Sequence, residues 1–206
     1  MLRKVLIGLA AVIVVLLVVI ATRPGTYRVE RSTRIAAPPD VVFALVNDFH
    51  DWDRWSPWAK LDPSMKLEIG GTPTGAGTGA TYHWVGNDKV GEGKMLITDS
   101  RPAQKVAIRL EFLKPMVQVA RTEFTFRPEA GATQVNWAMS GDNNFMGKAF
   151  SLFADMDAMI GKDFEKGLAG MHTAAEAEVK RRAESASASA TPPATPPAAE
   201  PAAPAK

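Results

Sequence analysis

The sequence predicts an α+β domain in which successive antiparallel strands are closed by one long helix, behind an apolar N-terminal helix. Three observations predict it. From Val5 to Ala21 no polar side chain occurs. Between Tyr27 and Ser140 short alternating apolar and polar stretches follow one another through turns, with little room for helical crossovers, so the strands form an antiparallel meander. From about Met146 to Arg182 apolar residues return at helical spacing.

The first element, Val5–Ala21, is long enough for a membrane span, which needs roughly 17–25 residues, and long for a secretory apolar core of roughly 7–15. A cut after Val19-Ile20-Ala21 would place Ile20 and Arg23-Pro24 at a poor cleavage site, so an uncleaved single-pass anchor over residues 1–23 is expected. Arg3, Lys4 and Arg23 can snorkel from its ends. The cations after the span (Arg23, Arg28, Arg31, Arg34) outnumber Arg3 and Lys4 before it. Long domains translocate largely regardless of charge, and the short basic start resembles that of an exported domain. The soluble domain is therefore placed on the non-cytoplasmic side.

Tyr27 to Ile35 alternates, with Tyr27, Val29, Thr33 and Ile35 on one side: a half-buried strand. Ala37-Pro38-Pro39-Asp40 opens a helix, since proline suits the first turn and an acid suits its positive end. Its Val42, Phe43, Leu45 and Val46 face a core. Asn47 to Trp58 then carries three of the chain's five tryptophans, Trp52, Trp55 and Trp58, spaced by three until Pro57 breaks the helix. An indole is a large apolar body with one N–H to satisfy. Such a cluster either plugs a core or forms the lip of a cavity.

Strands follow at Met65–Ile69, Thr81–Val85 and Val90–Asp99, the last two joined by a turn at Gly86-Asn87-Asp88-Lys89. The glycine-rich run from Gly70 to Gly79 reads as a flexible connection. Lys105–Phe112, Val117–Phe126 and Thr133–Ser140 complete the meander, the last with Val135, Trp137 and Met139 on one face. Asp142-Asn143-Asn144 suits a cap for the long helix, whose apolar stripe is Leu152, Phe153, Met156, Ile160, Phe164, Leu168 and Met171. The domain spans 27–182. The remainder, 183–206, is Ala/Pro-rich with Thr191-Pro192-Pro193 and Thr195-Pro196-Pro197, and reads as a disordered tail.

This order of elements is the helix-grip plan, and particular residues sharpen it. Ile35-Ala36-Ala37-Pro38-Pro39-Asp40-Val41-Val42-Phe43-Ala44-Leu45-Val46-Asn47-Asp48 resembles the opening of the SRPBCC superfamily, which includes START, Bet v 1-like and polyketide cyclase/dehydrase proteins. Trp52-x-x-Trp55-Ser56-Pro57-Trp58 is similar to the turn after that helix. Trp84-x-Gly86-Asn87 with Val90-Gly91-x-Gly93 resembles the central hairpin of the polyketide cyclase-like branch. The likeness covers roughly Tyr27 to Ala177. It implies a sheet wrapped around the long helix with an apolar cavity between them, holding lipids or other apolar molecules in many members and a cyclase substrate in some.

The chemistry legible in the residues is sparse. Net charge is +2 and dispersed, which argues against a nucleic-acid surface. There is no cysteine, and His50, His83 and His172 are not spaced as metal ligands, so neither metal nor cofactor is expected. No Gly-x-Ser-x-Gly elbow occurs, and the glycine run leads to a strand without Gly-Lys-Ser/Thr, unlike a phosphate loop. Catalysis would rest on His83, Tyr82 or a buried carboxylate.

The sequence therefore points to a membrane-anchored binding protein for a hydrophobic small molecule or lipid. Its expected ligand contacts are Trp55, Trp58, Trp84, Phe124, Trp137, Met139, Met156, Ile160 and Phe164. The alternatives are a cyclase- or dehydratase-like enzyme and a protein-interaction or regulatory module that uses the domain or the tail. Periodicity is the same for a filled core and a cavity wall, so the residues alone leave these open.

Overall fold

Alternation along the middle of the chain builds a seven-stranded antiparallel sheet, seen in a computed structural model that describes residues 1–190. An apolar helix α1 (Leu2–Ala21) leads into β1 (Thr26–Ile35), then α2 (Pro39–Asn47) and a 3-10 helix over Phe49–Arg54. The strands β2 (Lys66–Gly70), β3 (Thr81–Val85), β4 (Glu92–Arg101), β5 (Lys105–Lys114), β6 (Gln118–Glu129) and β7 (Ala132–Asp142) follow. Two helices finish it, α3 (Phe145–Phe150) and α4 (Met156–Ala190). The sheet order is β1-β7-β6-β5-β4-β3-β2, so the first strand closes against the last and the rest is a plain meander.

The register gives the sheet two distinct ends. At one end lie the pairs Thr26↔Asp142, Phe112↔Gln118, Glu92↔Lys114 and Val85↔Glu92, which gather the start of β1, the end of β7 and two hairpin turns. Because α1 enters and α3 leaves here, we term it the entry end. The far end holds Ile35↔Thr133, Glu129↔Ala132 and Arg101↔Lys105.

The hydrophobic core fills the far end. Val41, Val42, Leu45 and Val46 of α2 are buried there with Ile97, Val106, Ile108, Phe126 and Val135 of the sheet. Pro38 and Pro39 start α2 as expected, with Asp40 in the first turn. The indoles that follow explain how it stops. Trp52 Nε1 donates to the Val46 carbonyl at 3.0 Å and Trp55 Nε1 to the Leu45 carbonyl at 2.7 Å, satisfying carbonyls in the last turn.

Three expectations change. The single long C-terminal helix is two helices, and the link between them supplies the cap of the second: Asp155 accepts from Asp157 N–H at 2.9 Å and Ala158 N–H at 3.1 Å in front of α4. Asn144 caps the first by accepting from the Gly147 N–H at 2.9 Å. The break resets the helical phase, so Phe153 leaves the stripe and stands 86% exposed, while Phe164, Leu168 and Met171 stay inside. At its other end α4 continues past Arg182 to Ala190, so Glu184 to Ala190 is helical rather than part of a disordered tail. The Thr-Pro-Pro repeats lie outside the described residues.

The glycine run is also no loose connection. Phe49 N–H donates to the Gly75 carbonyl at 3.3 Å, Gly77 N–H to Asn47 at 3.0 Å, and Thr72 Oγ1 to Ala76 at 3.1 Å, which fastens it beneath the 3-10 helix.

Helix α4 packs on the apolar face of the sheet through Phe164, Leu168 and Met171. Arg31 of β1 reaches Asp157 and Glu165, each at 2.9 Å, near its start, and Arg182 meets Asp40 of α2 at 2.8 Å near its end. Gly170 lets the helix close on the Trp55 backbone, where a Cβ would collide. Helix α1 is apolar and long enough to cross a membrane by length and composition, and only Ile20 of it is buried.

Candidate ligand cavity

Following the strands from the far end to the entry end shows where the packing stops. Ile108 in β5, Ile97 in β4, Phe124 in β6 and Val135 in β7 are packed against neighbours. The next inward positions, Leu110 and Phe112, Met95, Thr122 and Met139, instead line a cavity of about 350 Å³. Ile160 and Phe164 of α4 roof it. The side wall is Trp58 and Ala59 on one hand and Trp84, Val90 and Gly91 on the other. The lining is mostly apolar, with the hydroxyls of Ser56, Tyr82 and Thr122 as the polar groups of the wall and Asp88, Lys89, Lys114 and Asp163 contributing at the charged rim. A few polar groups in an apolar wall is the usual make-up of a small-molecule site.

The aromatic wall is held rigid. Trp137 stacks on Phe164 at 3.9 Å between ring centroids and on Phe124 at 4.8 Å, with Trp55 and Trp58 edge-on at 5.6 and 5.8 Å. Trp84 Nε1 donates to the Val90 carbonyl at 3.0 Å, which pins the indole to its own hairpin turn. The ring lies across Gly93 of β4, where any Cβ would strike it.

Six of the nine expected contacts therefore line the cavity: Trp58, Trp84, Trp137, Met139, Ile160 and Phe164. Trp55 and Phe124 do not. They are packed behind Trp137, so within the tryptophan segment Trp55 is a plug, Trp52 is buried but still reaches the wall, and Trp58 stands half-buried at its side. Met156 sits in the first turn of α4, before that helix reaches the cavity, and is not part of the wall.

The two catalytic candidates separate because they are neighbours on a strand. Tyr82 faces inward and lines the wall, where burial first and the Asp53 charge second raise its phenol above the ordinary value. His83 points to the opposite face, into an open, charged depression of about 320 Å³ with Glu68, Lys94, Arg109 and Glu111. Its nearest carboxylate oxygens are Glu92 at 3.7 Å and Glu68 at 4.0 Å. An imidazole there cannot act on a molecule held in the cavity.

Asp62, which the sequence did not single out, fixes the rim. It is buried, accepts from Ser64 N–H and Oγ at 2.9 and 2.7 Å, and takes the Asn87 N–H at 2.7 Å. One carboxylate thus ties the Trp58 segment to the Trp84 hairpin, the two walls of the opening. The Ser64 hydroxyl first and the Asn87 amide next hold its carboxyl below the ordinary range. The only sequence signal was Asp62-Pro63-Ser64, a common turn pattern.

The family comparison fits this geometry. Residues 26–176 match the model described as polyketide cyclase / dehydrase and lipid transport. The chain belongs to that family. Among solved structures, the polyketide cyclase / dehydrase and lipid transport domain of this chain resembles an uncharacterised protein from Rhizobium leguminosarum at 15% identity and a TM-score of 0.54, covering 73% of this chain and 95% of that one. Protein CV1439 from Chromobacterium violaceum is similar at 14% identity and a TM-score of 0.52, over 74% and 98% of the two chains. The di-domain ARO/CYC StfQ of the steffimycin biosynthetic pathway matches at 10% identity and a TM-score of 0.53, over 75% of this chain and 52% of its own. At these identities the likeness is one of fold. No curated protein matches the chain.

Proposed function

We propose that this protein holds a hydrophobic small molecule or lipid in the cavity between sheet and α4, at a membrane that α1 crosses once. The observation that carries it is the cavity itself. Its volume of about 350 Å³ lies within the roughly 300–1,000 Å³ of small-molecule sites, and its wall is aromatic and aliphatic. Membership of a family described by lipid transport and polyketide chemistry agrees with an apolar occupant. The membrane reading is supported by α1, whose apolar surface is exposed along its length apart from Ile20. Water solvates such a surface poorly, and a bilayer covers it. We further propose that the domain lies on the non-cytoplasmic side, a reading supported by the short basic start Arg3-Lys4 before the span.

A cyclase- or dehydratase-like activity would need an acid–base group facing the occupant, and with His83 turned away Tyr82 is the candidate in the wall, with Asp88 and Asp163 among the charged lining residues. A phenol is protonated at neutral pH even at its ordinary value and burial raises this one further, which suits a hydrogen-bond donor that orients a bound molecule better than a base.

Mass spectrometry of the full chain released from native membranes tests the proposal. A stoichiometric apolar ligand is the expected result. Ligand-free protein that also takes up nothing from an extract of its own membrane would overturn it.

A further inference from the structure

The entry end of the sheet carries more exposed apolar surface than a water-facing end should. Val117 is 76% exposed and Met116 60%, both in the β5–β6 turn. Phe153, at 86%, follows α3, whose Phe145, Met146 and Phe150 are exposed as well. Grouped exposed apolar residues mark contact with a protein, a ligand or a membrane.

The attachment of α1 decides which. Only Thr22, Arg23, Pro24 and Gly25 separate its last residue from β1. With at most roughly 3.6 Å per extended residue, the entry end cannot leave the surface from which α1 emerges. It is also fastened there. Lys148 Nζ of α3 donates to the Ala21 carbonyl at 3.2 Å, and Asn143 donates through its backbone N–H to Gly25 at 2.8 Å and through Nδ2 to Pro24 at 3.4 Å. The start of β1, α3 and the β5–β6 turn share this end by strand register. So does the mouth of the cavity, since Gly91, Lys114 and Pro115 line it.

We propose that this end is a bilayer-docking surface, on which Met116, Val117, Phe145, Met146, Phe150 and Phe153 sit in the headgroup–acyl boundary and the cavity opens toward the lipid. It rests on the reading of α1 as a span. Apolar side chains beside cations such as Arg23, Lys114 and Lys148 form the mixed surface that binds an interface with anionic headgroups. A molecule leaving the bilayer then enters the cavity without crossing water.

The absence of cysteine makes the test direct. Single variants Val117→Cys and Phe153→Cys of the full chain carry an environment-sensitive fluorophore in phosphatidylcholine/phosphatidylglycerol vesicles, with and without lipids brominated near the headgroup. Gln104→Cys, in the far-end turn, is the control, and Val12→Cys with bromines at the bilayer centre reports on α1. An interfacial residue sits about 5–10 Å into that boundary, so roughly twofold quenching is expected at 117 and 153 and none at 104. Quenching at 12 without quenching at 117 or 153 would overturn the docking surface while leaving the span intact. No quenching at 12 would remove the span and the docking argument built on it. Blue-shifted emission at 117 and 153 that bromines do not quench would show a protein covering this face, and would also overturn the proposal.

Discussion

Replacing Trp137 and Trp58 by alanine, separately, tests the division of this domain into a packed part and a hollow part. Trp137 is buried, stacked against Phe164 and Phe124, and touched edge-on by Trp55 and Trp58. Among the described residues its Nε1 finds no protein acceptor, so the substitution breaks no hydrogen bond within the fold and the loss is one of packing. Emptying such a site costs about 3–5 kcal/mol, and four ring contacts put Trp137 in the upper half of that range, about 4 kcal/mol. Trp58 is half-buried, has one ring partner at 5.8 Å, and already faces the cavity. One aromatic pair is worth about 0.5–1.5 kcal/mol, and with its partial burial Trp58→Ala should cost about 1–2 kcal/mol. Urea melts of the domain beginning at Tyr27 measure both, and uptake of a fluorescent fatty acid measures the ligand side. Trp58→Ala should bind several-fold more weakly while remaining nearly as stable as the parent. A loss from Trp58→Ala equal to that from Trp137→Ala, or unchanged uptake, would show Trp58 to be a plug and refute the lip. The two rings touch, so the double variant should fall short of the sum.

Three further outcomes follow from the geometry. Leu110→Trp puts a ring into the empty space and should abolish fatty-acid uptake, while stability stays within about 1 kcal/mol because overpacking is costly only where space is filled; a fall of several kcal/mol in the same melts would mean the cavity is not hollow. His83→Ala, on the outer face, should leave uptake unchanged, and a several-fold loss would contradict the strand register. Glu178 is held at about 2 from an ordinary 4.5 by hydrogen bonds first from Arg181 and then from Arg182, so it binds fewer protons in the folded state. Its contribution is present above pH 4.5, is lost as pH falls toward about 2, and after discounting for solvent around the arginines is roughly 1 kcal/mol. Glu178→Gln should remove that share of the acid limb of stability against pH, and an unchanged limb would count against the pairing.

Much of this was legible in the residues because it depends on period. Alternation placed Val29, Trp137 and Met139 inward, and Pro38-Pro39-Asp40 marked the start of α2. The misses have local chemical causes. One long helix was read through Ser151–Asp155 because apolar residues continued in phase, while the side-chain oxygen of Asp155 takes the Asp157 and Ala158 N–H groups that a continuous helix would use. Trp55 was read with Trp58 because both are tryptophans three apart. Trp55 is the C-cap of the 3-10 helix that ends at Arg54 and its indole is held by the Leu45 carbonyl of α2, whereas Trp58 lies beyond that anchor and faces the cavity. Asp62 was invisible because its partner Asn87 is remote in sequence.

The cavity could not be read from period at all, and the structure shows why. Ile108 and Leu110 are successive inward residues of one strand with the same alternation and similar volume, yet the first is packed and the second borders empty space. The difference lies in what stands opposite. Helix α2 covers β5 and β6 at the far end and is stopped after Asn47 by the tryptophans that take its last carbonyls. Beyond that point the inward side chains of the sheet meet α4, Trp52 and the Trp58 segment, which leave the space between them unfilled. Burial of the α2 face offsets the packing missing from the other half, so the domain can be stable and hollow at once. Because the chain enters through α1 at the hollow end, the unpacked half is also the half closest to any membrane that helix occupies.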